Sequence, residues 1–444
     1  MLQEKEIRLD GLLEKLRGKR LLILGFGREG RSSYSFLQQH VPDANIAVAD
    51  ANTTLETEKY PMVRQWHLGP DYLQAISQYD LVLQSPGVCL KSLFPTLDTS
   101  RITSQTDLFL QAFGSQSIGV TGTKGKSTTS SLIRHLLQET GHETLFGGNI
   151  GIPLFELIPQ INARSRIVME LSCHQLEFAR HSPHIALLLN LFEEHLDHYT
   201  DYNAYQLAQY NIARNQRAED LFLYPKGNEL IENLMEKHPL ASQIIAFSEE
   251  DFGDLLQSTK FPLKGTHNRL NAAAAMSAVQ KCDPQTSMAD WTTALYSFQS
   301  LPHRMEYVGC FDGVTYYNDS ISTIPQAAIA AVKAIGNVDT LLLGGMDRGI
   351  DYTPLKELFE YSSVRNFLFT GAAGRRMLGI AQETDPHDKH FAFFDNFADM
   401  VDEAKKCTCK GMVCLLSPAA PSYDAFKNFE ERGEVFKGLL KKSI

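Results

Sequence analysis

The stretch that decides the fold reads Ser117-Ile-Gly-Val120-Thr121-Gly122-Thr123-Lys124-Gly125-Lys126-Ser127, and a segment of helical spacing follows over residues 128–139. A strand, a glycine-rich loop and a helix in this order are typical of a phosphate-binding loop. The two loop glycines would let backbone N–H groups face a triphosphate. Lys126 would place a point charge at the outer phosphates, and Ser127 could ligate Mg²⁺. The strict Walker spacing is not met, but the pattern predicts an ATP site.

Strand and helix patterns alternate on both sides of this loop. A first strand–helix–strand unit is predicted over residues 21–24, 32–39 and 46–49. Further apolar runs of strand length lie at 167–169, 185–189, 221–223, 314–317, 341–343, 367–369 and 412–416. Such alternation indicates parallel sheets in an α/β fold. We therefore predict three domains, at 1–106, 107–301 and 302–444: a Rossmann-like N-terminal domain, a parallel-sheet ATPase domain with the phosphate loop, and a Rossmann-like C-terminal domain.

The N-terminal unit carries the turn Gly25-Phe-Gly27-Arg-Glu-Gly30, with Asp50 at the end of the next strand. This spacing fits the dinucleotide-binding fingerprint. A glycine turn at a helix N-terminus binds any diphosphate, and a carboxylate after the second strand accepts a hydrogen bond from any sugar or base. The residues alone thus leave NAD, a UDP-sugar and a tight turn without ligand open.

Two further side chains follow predicted strands of the central domain. Glu170 ends one strand, and His195 comes shortly after another. Both positions suit metal ligands, because ligands gather at the C-terminal edge of a parallel sheet. Together they predict a metal site beside the phosphate loop.

Composition excludes several functional classes. The chain has 444 residues with 42 Lys and Arg against 52 Asp and Glu, a net charge of −10, and its basic residues are scattered, which argues against nucleic-acid binding. No apolar run approaches a membrane span, and the helix predicted over residues 1–20 lacks the apolar core of a signal peptide. Seven cysteines without an export signal indicate reduced thiols in the cytoplasm, and Cys407-Thr-Cys409 has no second pair for zinc. We expect a monomer.

Taken together, the chain resembles the Mur ligases along nearly its whole length, and among them those that add glutamate to UDP-N-acetylmuramoyl-L-alanine. The motifs that carry the resemblance are Ser85-Pro-Gly87, the phosphate loop, Gly147-Gly-Asn-Ile-Gly151, Glu170-Leu-Ser172 with Gln175-Leu-Glu177, Asn190 with His195-Leu-Asp197, His267-Asn268 to Asn271, Pro302-His-Arg304 with Asn318-Asp-Ser320, and Ser417 to Phe426 with Lys427-Asn-Phe429-Glu-Glu-Arg-Gly433. The resemblance implies ATP and two Mg²⁺ ions, and a carboxylate that is activated as an acyl phosphate before the glutamate amine displaces phosphate.

The resemblance also assigns roles to residues. Lys126, Glu170 and His195 would be catalytic, and the metal ligands would be Ser127, Glu170 and His195. ATP would be bound by Gly122, Thr123, Lys124, Gly125, Lys126, Ser127, Thr128, Asn268, Asn271, Arg304 and Asp319. The UDP-sugar would be bound by Gly27, Arg28, Glu29, Asp50, Ser85, Gly87 and Asn149. Glutamate would be bound by Thr323, Arg348, Ser422 and Phe429.

Three positions depart from the family pattern. Gln209 stands where the family commonly has a carbamylated lysine near the second Mg²⁺, so we expect a neutral carbonyl there and no dependence on bicarbonate. Ile321 and Arg348 each replace a lysine beside the expected glutamate site. Arginine binds a carboxylate through a planar set of N–H donors, whereas lysine offers a point charge, so the bound amino acid could be held in a different geometry. The handedness of the added glutamate is therefore open: D-glutamate by default, with L-glutamate as the alternative. More distant alternatives are a folylpolyglutamate-type ligase and an inactive binding paralogue.

Overall fold

The computed structural model describes residues 2–94, 96–384 and 388–441, and its strands form three sheets. The first sheet contains β1 (Arg20–Leu24), β2 (Asn45–Asp50), β3 (Val63–Leu68), β4 (Leu81–Gln84) and β5 (Ile102–Thr103). The second contains β6 (Ser117–Thr121), β7 (Thr144–Gly148), β8 (Arg166–Glu170), β9 (Ile185–Leu188), β10 (Leu221–Pro225) and β11 (Gln243–Phe247). The third contains β12 (Glu306–Phe311), β13 (Val314–Asn318), β14 (Val338–Gly344), β15 (Asn366–Thr370), β16 (His390–Phe394) and β17 (Val413–Leu416).

Helices connect most of these strands and cover the sheets. They are α1 (Leu2–Glu14), α2 (Arg28–His40), α3 (Gln105–Phe113), α4 (Lys126–Glu139), α5 (Leu154–Leu157), α6 (Cys173–Leu176), α7 (Tyr202–Arg214), α8 (Glu229–Lys237), α9 (Gly253–Leu256), α10 (Thr266–Cys282), α11 (Met288–Ser297), α12 (Pro325–Ile335), α13 (Lys356–Tyr361), α14 (Gly371–Gln382), α15 (Phe397–Cys407) and α16 (Phe429–Lys441). The helix expected over residues 1–20 ends early, because the chain turns at Gly18 (φ 73°) and β1 begins at Arg20. Among the described residues, no helix is both long and apolar enough to cross a membrane.

The first sheet is parallel, in the order β3-β2-β1-β4-β5. This is the strand order of a Rossmann fold, which confirms that part of the prediction. Its central strand β1 is buried from Leu21 to Leu24, as expected for a parallel sheet covered on both faces. The glycine turn and Asp50 therefore lie at the C-terminal edge of this sheet.

The second sheet is also parallel, in the order β11-β10-β9-β6-β8-β7. Strand β6 lies between β8 and β9, with Val120 paired to Glu170 and Thr121 paired to Leu188. This register brings the phosphate loop, Glu170 and the segment after β9 to one edge. The predicted parallel-sheet ATPase fold is confirmed.

The third sheet runs β12-β13-β17-β14-β15-β16, and its first pair is antiparallel. The expectation of parallel strands throughout is wrong there, because Asp312 (φ 51°) and Gly313 (φ 83°) form a tight turn between β12 and β13. Asp-Gly is a strong hairpin signal, from which the antiparallel pair could have been predicted. The remaining pairs are parallel.

The chain divides into two compact units. One contains the residues up to Phe261 together with His267–Phe298, and the other contains Pro262–Thr266 and the chain from Gln299 onward. The first unit holds two of the three sheets. The two boundaries between the three domains remain predictions; the one after residue 106 falls within α3.

Candidate active site

The phosphate loop takes a conformation that only glycine allows without strain. Gly122 has φ 136° and Gly125 has φ 89°. A Cβ atom on Gly125 would lie 2.3 Å from Oδ1 of Asn271, so α10 approaches the loop at van der Waals distance. Asn271 donates from Nδ2 to Oδ1 of Asn268 (3.2 Å), and both side chains are buried. The structure thus brings both predicted asparagines to the loop.

Lys126 begins α4 and folds back over the loop. Its Nζ donates to the carbonyl oxygens of Gly122 (2.7 Å) and Thr123 (3.0 Å). Burial lowers the pKa of Lys126, an effect that the nearby Glu170 carboxylate opposes. Ser127 is buried and Thr128 half-buried in the first turn of α4, while Lys124 is exposed and pairs with Glu194.

Glu170 is 1% exposed at the end of β8. Its Oε1 accepts a hydrogen bond from Nδ2 of Asn149 (2.6 Å), while Oε2 is buried without a hydrogen-bond partner in the structure. A buried carboxylate oxygen without a partner is costly unless a cation or donor binds it. This oxygen therefore fits the predicted metal site. Asn149, predicted to bind the UDP-sugar, contacts this carboxylate.

His195 lies in the left-handed region (φ 59°), which is uncommon outside glycine. Its ring is 44% exposed and lies 4.8 Å from the ring of His174, between centroids. His174 follows Glu170 by four residues and was not singled out from the sequence. Strained non-glycine residues concentrate at functional sites, which agrees with the predicted role of His195.

The glycine turn of the first sheet is closely packed. A Cβ on Gly30 would lie 2.1 Å from the carbonyl oxygen of Gly25, so only glycine fits at this position in the first turn of α2. Asp50 accepts from the backbone N–H of Phe26 (2.6 Å) through Oδ2 and from that of Asn52 (2.7 Å) through Oδ1. Its carboxylate thus fixes the turn, in addition to any contact with a ligand.

Two predicted UDP-sugar residues of this turn reach the second sheet. The Arg28 guanidinium donates to the carbonyl oxygen of Gly151, and Oε2 of Glu29 accepts from Nε2 of Gln175 (3.3 Å). Burial raises the pKa of Glu29 to about 7. Gly27 is exposed just before α2, and the exposed Gly87 follows β4. Ser85 also follows β4 and donates from Oγ to the carbonyl oxygen of Gly25 (2.8 Å).

In the second unit, Asp319 is 5% exposed at the end of β13. Its carboxylate accepts from the backbone N–H of Met305 (3.1 Å) and from the hydroxyls of Ser322 (2.5 Å) and Ser417 (2.8 Å). Burial raises the pKa of Asp319 to about 6. Asp319 therefore holds the turn that carries Arg304, which places these two predicted ATP residues together.

Three of the four predicted glutamate residues lie on the loops after β13, β14 and β17, and the fourth, Phe429, begins α16. Ser422 is 2% exposed, Thr323 and Phe429 are half-buried, and Arg348 is exposed. The carbonyl oxygen of Phe429 accepts from the Ser320 hydroxyl (2.8 Å). Since all three strands are parallel neighbours in the order β13-β17-β14, these loops share one edge of the third sheet.

Comparison with known proteins matches residues 120–279 to the Mur ligase middle domain. A UDP-N-acetylmuramoylalanine–D-glutamate ligase of Geotalea uraniireducens is 32% identical over 458 residues, which cover 96% of this chain and 98% of that relative. The chain belongs to the Mur ligase family. Within it, the chain is of the MurD type, as the sequence motifs predict.

Solved structures agree with this Mur ligase at the level of the fold. UDP-N-acetylmuramate–alanine ligase of Thermotoga maritima aligns with a TM-score of 0.55 at 17% identity, covering 96% of this chain and all (100%) of that one. MurF ligase of Thermotoga maritima, solved in complex with ADP, aligns with a TM-score of 0.55 at 15% identity, covering 84% and 92%.

Two residues organise the site of this Mur ligase without having been assigned a role from the sequence. Asn190 clamps the phosphate loop: its Oδ1 accepts from the backbone N–H of Lys124 (2.8 Å), and its Nδ2 donates to the Lys124 carbonyl (2.9 Å). Tyr205 is fully buried on α7, and its hydroxyl lies 2.6 Å from Oγ1 of Thr123. Asn190 follows a buried strand of the second sheet. This position indicates a side chain at the sheet edge that holds the phosphate loop.

Arg432 of the Mur ligase is a buried cation, 2% exposed, that joins the loops carrying the predicted glutamate residues. It donates to Oγ (3.0 Å) and the carbonyl oxygen (2.7 Å) of Ser320, and to the carbonyl oxygens of Ala420 (3.0 Å) and Gly344 (3.3 Å). Burial lowers the pKa of Arg432 to about 10. Arg432 lies in the motif Lys427 to Gly433, but the motif by itself does not indicate that Arg432 joins these loops.

Proposed function

We propose that this Mur ligase couples ATP cleavage to the addition of D-glutamate to UDP-N-acetylmuramoyl-L-alanine, a step of peptidoglycan precursor synthesis. The observation that carries the proposal is the buried Glu170 carboxylate, with an unpaired oxygen, at the sheet edge that holds the phosphate loop. A loop that offers N–H groups and a half-buried lysine beside such a carboxylate suits a nucleotide with its metal ion. The name of the Geotalea uraniireducens relative supports the same reaction.

Each group of residues has a part in this proposal. Lys126 contacts the outer phosphates, and Asn268 and Asn271 hold the nucleotide against the loop. Ser127 and Glu170 would hold one Mg²⁺ ion, and His195 would hold a second. Bound Mg²⁺ would neutralise charge on the transferring phosphoryl group. By the resemblance to the family, Arg304 and Asp319 would also bind ATP, and the C-terminal edge of the first sheet would take the UDP-sugar.

The proposed reaction proceeds in two steps. A carboxylate oxygen of the alanyl group attacks the γ-phosphorus of ATP, which forms an acyl phosphate and releases ADP. The glutamate amine then attacks the acyl carbon, an amide bond forms, and inorganic phosphate leaves as the amine loses its proton. Positioning and charge neutralisation are what such a phosphoryl transfer needs from the protein, and no covalent enzyme intermediate is required.

We propose the D isomer of glutamate, because the full-length relatives are named for it. Ser422 and Phe429 would receive the side-chain carboxylate. Ile321 and Arg348, where the family has lysines, make the L isomer the alternative to test. We also propose that the protein acts as a cytoplasmic monomer, which light scattering on the purified chain would check.

The test is phosphate release by the purified full-length protein with ATP, Mg²⁺ and UDP-N-acetylmuramoyl-L-alanine, supplied with D- or L-glutamate. We expect saturable release with the D isomer. Lys126→Ala should lower kcat at least about 100-fold, because it removes a charge that the transition state needs. Lys264→Ala, a lysine outside the predicted site, is the control. Saturation by L-glutamate alone would reverse the assignment of the isomer, and release with neither isomer would favour a binding paralogue.

A further inference from the structure

We infer that Gln209 is a positioning residue that fixes the phosphate loop from behind. This inference deepens the proposed function and rests on it, because the ligand of the loop is taken to be a nucleotide. The side chain of Gln209 is 1% exposed on α7 and points toward the loop. Every polar atom of its amide has a partner within the first unit.

The amide oxygen of Gln209 is occupied by the loop itself. Oε1 lies 2.5 Å from the hydroxyl oxygen of Thr121 and accepts from the backbone N–H of Gly122 (3.2 Å). The N–H of Gly122 can only donate, so it fixes which end of the amide faces the loop. The hydroxyl of Thr121 has one proton and also lies 2.7 Å from the carbonyl oxygen of Leu171, so the N–H of Gly122 is the donor that holds Oε1. Gln209 thus directs its carbonyl at the loop, a role that the expectation of a carbonyl near the second Mg²⁺ does not include.

The amide nitrogen extends the contact along the loop. Nε2 of Gln209 donates to the hydroxyl of Tyr205 (3.0 Å), which shares a hydrogen bond with Oγ1 of Thr123 (2.6 Å). Oγ1 of Thr123 in turn accepts from the backbone N–H of Phe192 (2.8 Å). One helix thus holds three successive loop residues, Thr121, Gly122 and Thr123.

This arrangement sets the shape of the loop before a nucleotide enters. The N–H of Gly122 points inward to Gln209, and those of Thr123 and Lys124 donate to Asn190, which leaves the N–H groups at the N-terminus of α4 for phosphate. A site whose geometry is fixed in advance loses less free energy on binding. Without Gln209, the buried N–H of Gly122 would lack a partner, and it would regain one only if the loop moved.

The first test is Gln209→Leu, which keeps the approximate volume and removes both polar atoms. We expect MgADP to bind about tenfold more weakly by calorimetry, within the range typical of residues that orient a ligand-binding group. Affinity for UDP-N-acetylmuramoyl-L-alanine should not change. Gln206→Leu, one turn earlier on α7 and half-buried, is the matched control and should bind both ligands normally.

A second variant guards against failure to fold. Tyr205→Phe removes only a hydroxyl and should weaken MgADP about threefold. If the two side chains act through one chain of hydrogen bonds, the double variant should bind MgADP no more weakly than Gln209→Leu alone. If the losses of MgADP affinity in the two single variants add in the double variant, the two side chains do not act through one chain of hydrogen bonds.

Hydrogen exchange on the nucleotide-free protein separates this inference from the proposed function. Amides of residues 119–131 should exchange faster in Gln209→Leu than in the wild type, with the third sheet unchanged. Unchanged exchange there, or equal weakening of both ligands, would overturn the inference. A wild-type protein that binds no MgADP would refute the proposed function, while the exchange result would still decide the role of Gln209.

Discussion

Glu29 lies in the first turn of α2 and accepts a hydrogen bond from Gln175, which lies on α6 between two strands of the second sheet. Its other carboxylate oxygen, Oε1, is buried without a hydrogen-bond partner in the structure. Burial raises the pKa of Glu29 to about 7 from the ordinary value of 4.5. A single buried carboxyl group thus links the stability of the first unit to pH near neutrality.

The sign of this effect follows from the shift. The folded protein binds the Glu29 proton more tightly than the unfolded chain, so the stabilisation is full below pH 4.5 and is lost as the pH rises to about 7. We expect Glu29→Gln to become relatively more stable than the wild type, by about 2 kcal/mol, between pH 5 and pH 8. Urea unfolding at both pH values measures this. Asp319 titrates in the same range but is common to both proteins. Glu58→Gln, an exposed carboxylate, is the control; equal pH slopes for Glu29→Gln and wild type would contradict the prediction.

At the scale of structural elements, the phosphate loop is shaped by its neighbours as much as by its own residues. Gly125 combines φ 89° with the close approach of Asn271 from α10. The loop glycine was predictable from the motif. The helix against it was not, because α10 lies far along the chain and its distance to the loop depends on how the chain folds.

Gly125→Ala is therefore expected to weaken MgADP binding by at least tenfold, since the added Cβ would meet Oδ1 of Asn271 at 2.3 Å in a backbone conformation that alanine avoids. Calorimetric titration measures the affinity. Gly253→Ala, where an added Cβ has nothing within 4 Å, is the control and should bind normally. Wild-type affinity in Gly125→Ala would show that the loop readily rearranges.

The loops after β13, β14 and β17 depend on Arg432 as one element. Arg432→Lys keeps the charge, but a lysine ammonium cannot donate to Ser320, Ala420 and Gly344 at the same time, as the planar guanidinium of arginine does. We expect the KM for glutamate to rise about tenfold, with the KM for UDP-N-acetylmuramoyl-L-alanine unchanged. Steady-state phosphate release measures both constants. Arg375→Lys, an exposed arginine paired with Asp395, is the control; equal increases in both KM values would indicate general loss of structure.

At the scale of the whole molecule, the chain forms two compact units. Each has its own buried core, as the aliphatic and aromatic residues of the third sheet cluster among themselves. Units with separate cores commonly unfold separately. We expect two transitions in scanning calorimetry, and UDP-N-acetylmuramoyl-L-alanine should raise the temperature of only one. A single transition whose calorimetric and van't Hoff enthalpies agree would contradict this.

The resemblance to the Mur ligases named Asp319 and Ser422 as site candidates. The sequence by itself determined the three-sheet α/β class, the phosphate loop, the glycine turn, and Glu170 and His195 as site candidates. These could be predicted because their signals are local: a buried parallel strand is a continuous apolar run, and a turn needs particular residues at fixed offsets. The edge strands β3, β5, β7, β11, β12 and β16 and the inner strand β4 were not predicted. Half-exposed residues give β3 and β11 a weak apolar pattern, and β5 has only two residues.

Only the tertiary structure decided which buried polar groups meet. Gln209 and the loop are far apart in sequence, and so are Arg432 and Ser320, yet each pair is joined by hydrogen bonds. No local pattern reports such a partner, because a buried polar side chain is satisfied by whatever the packing of helices on sheets brings beside it. For this reason the contact between Gln209 and the phosphate loop could not be predicted from the sequence, and the structure shows it.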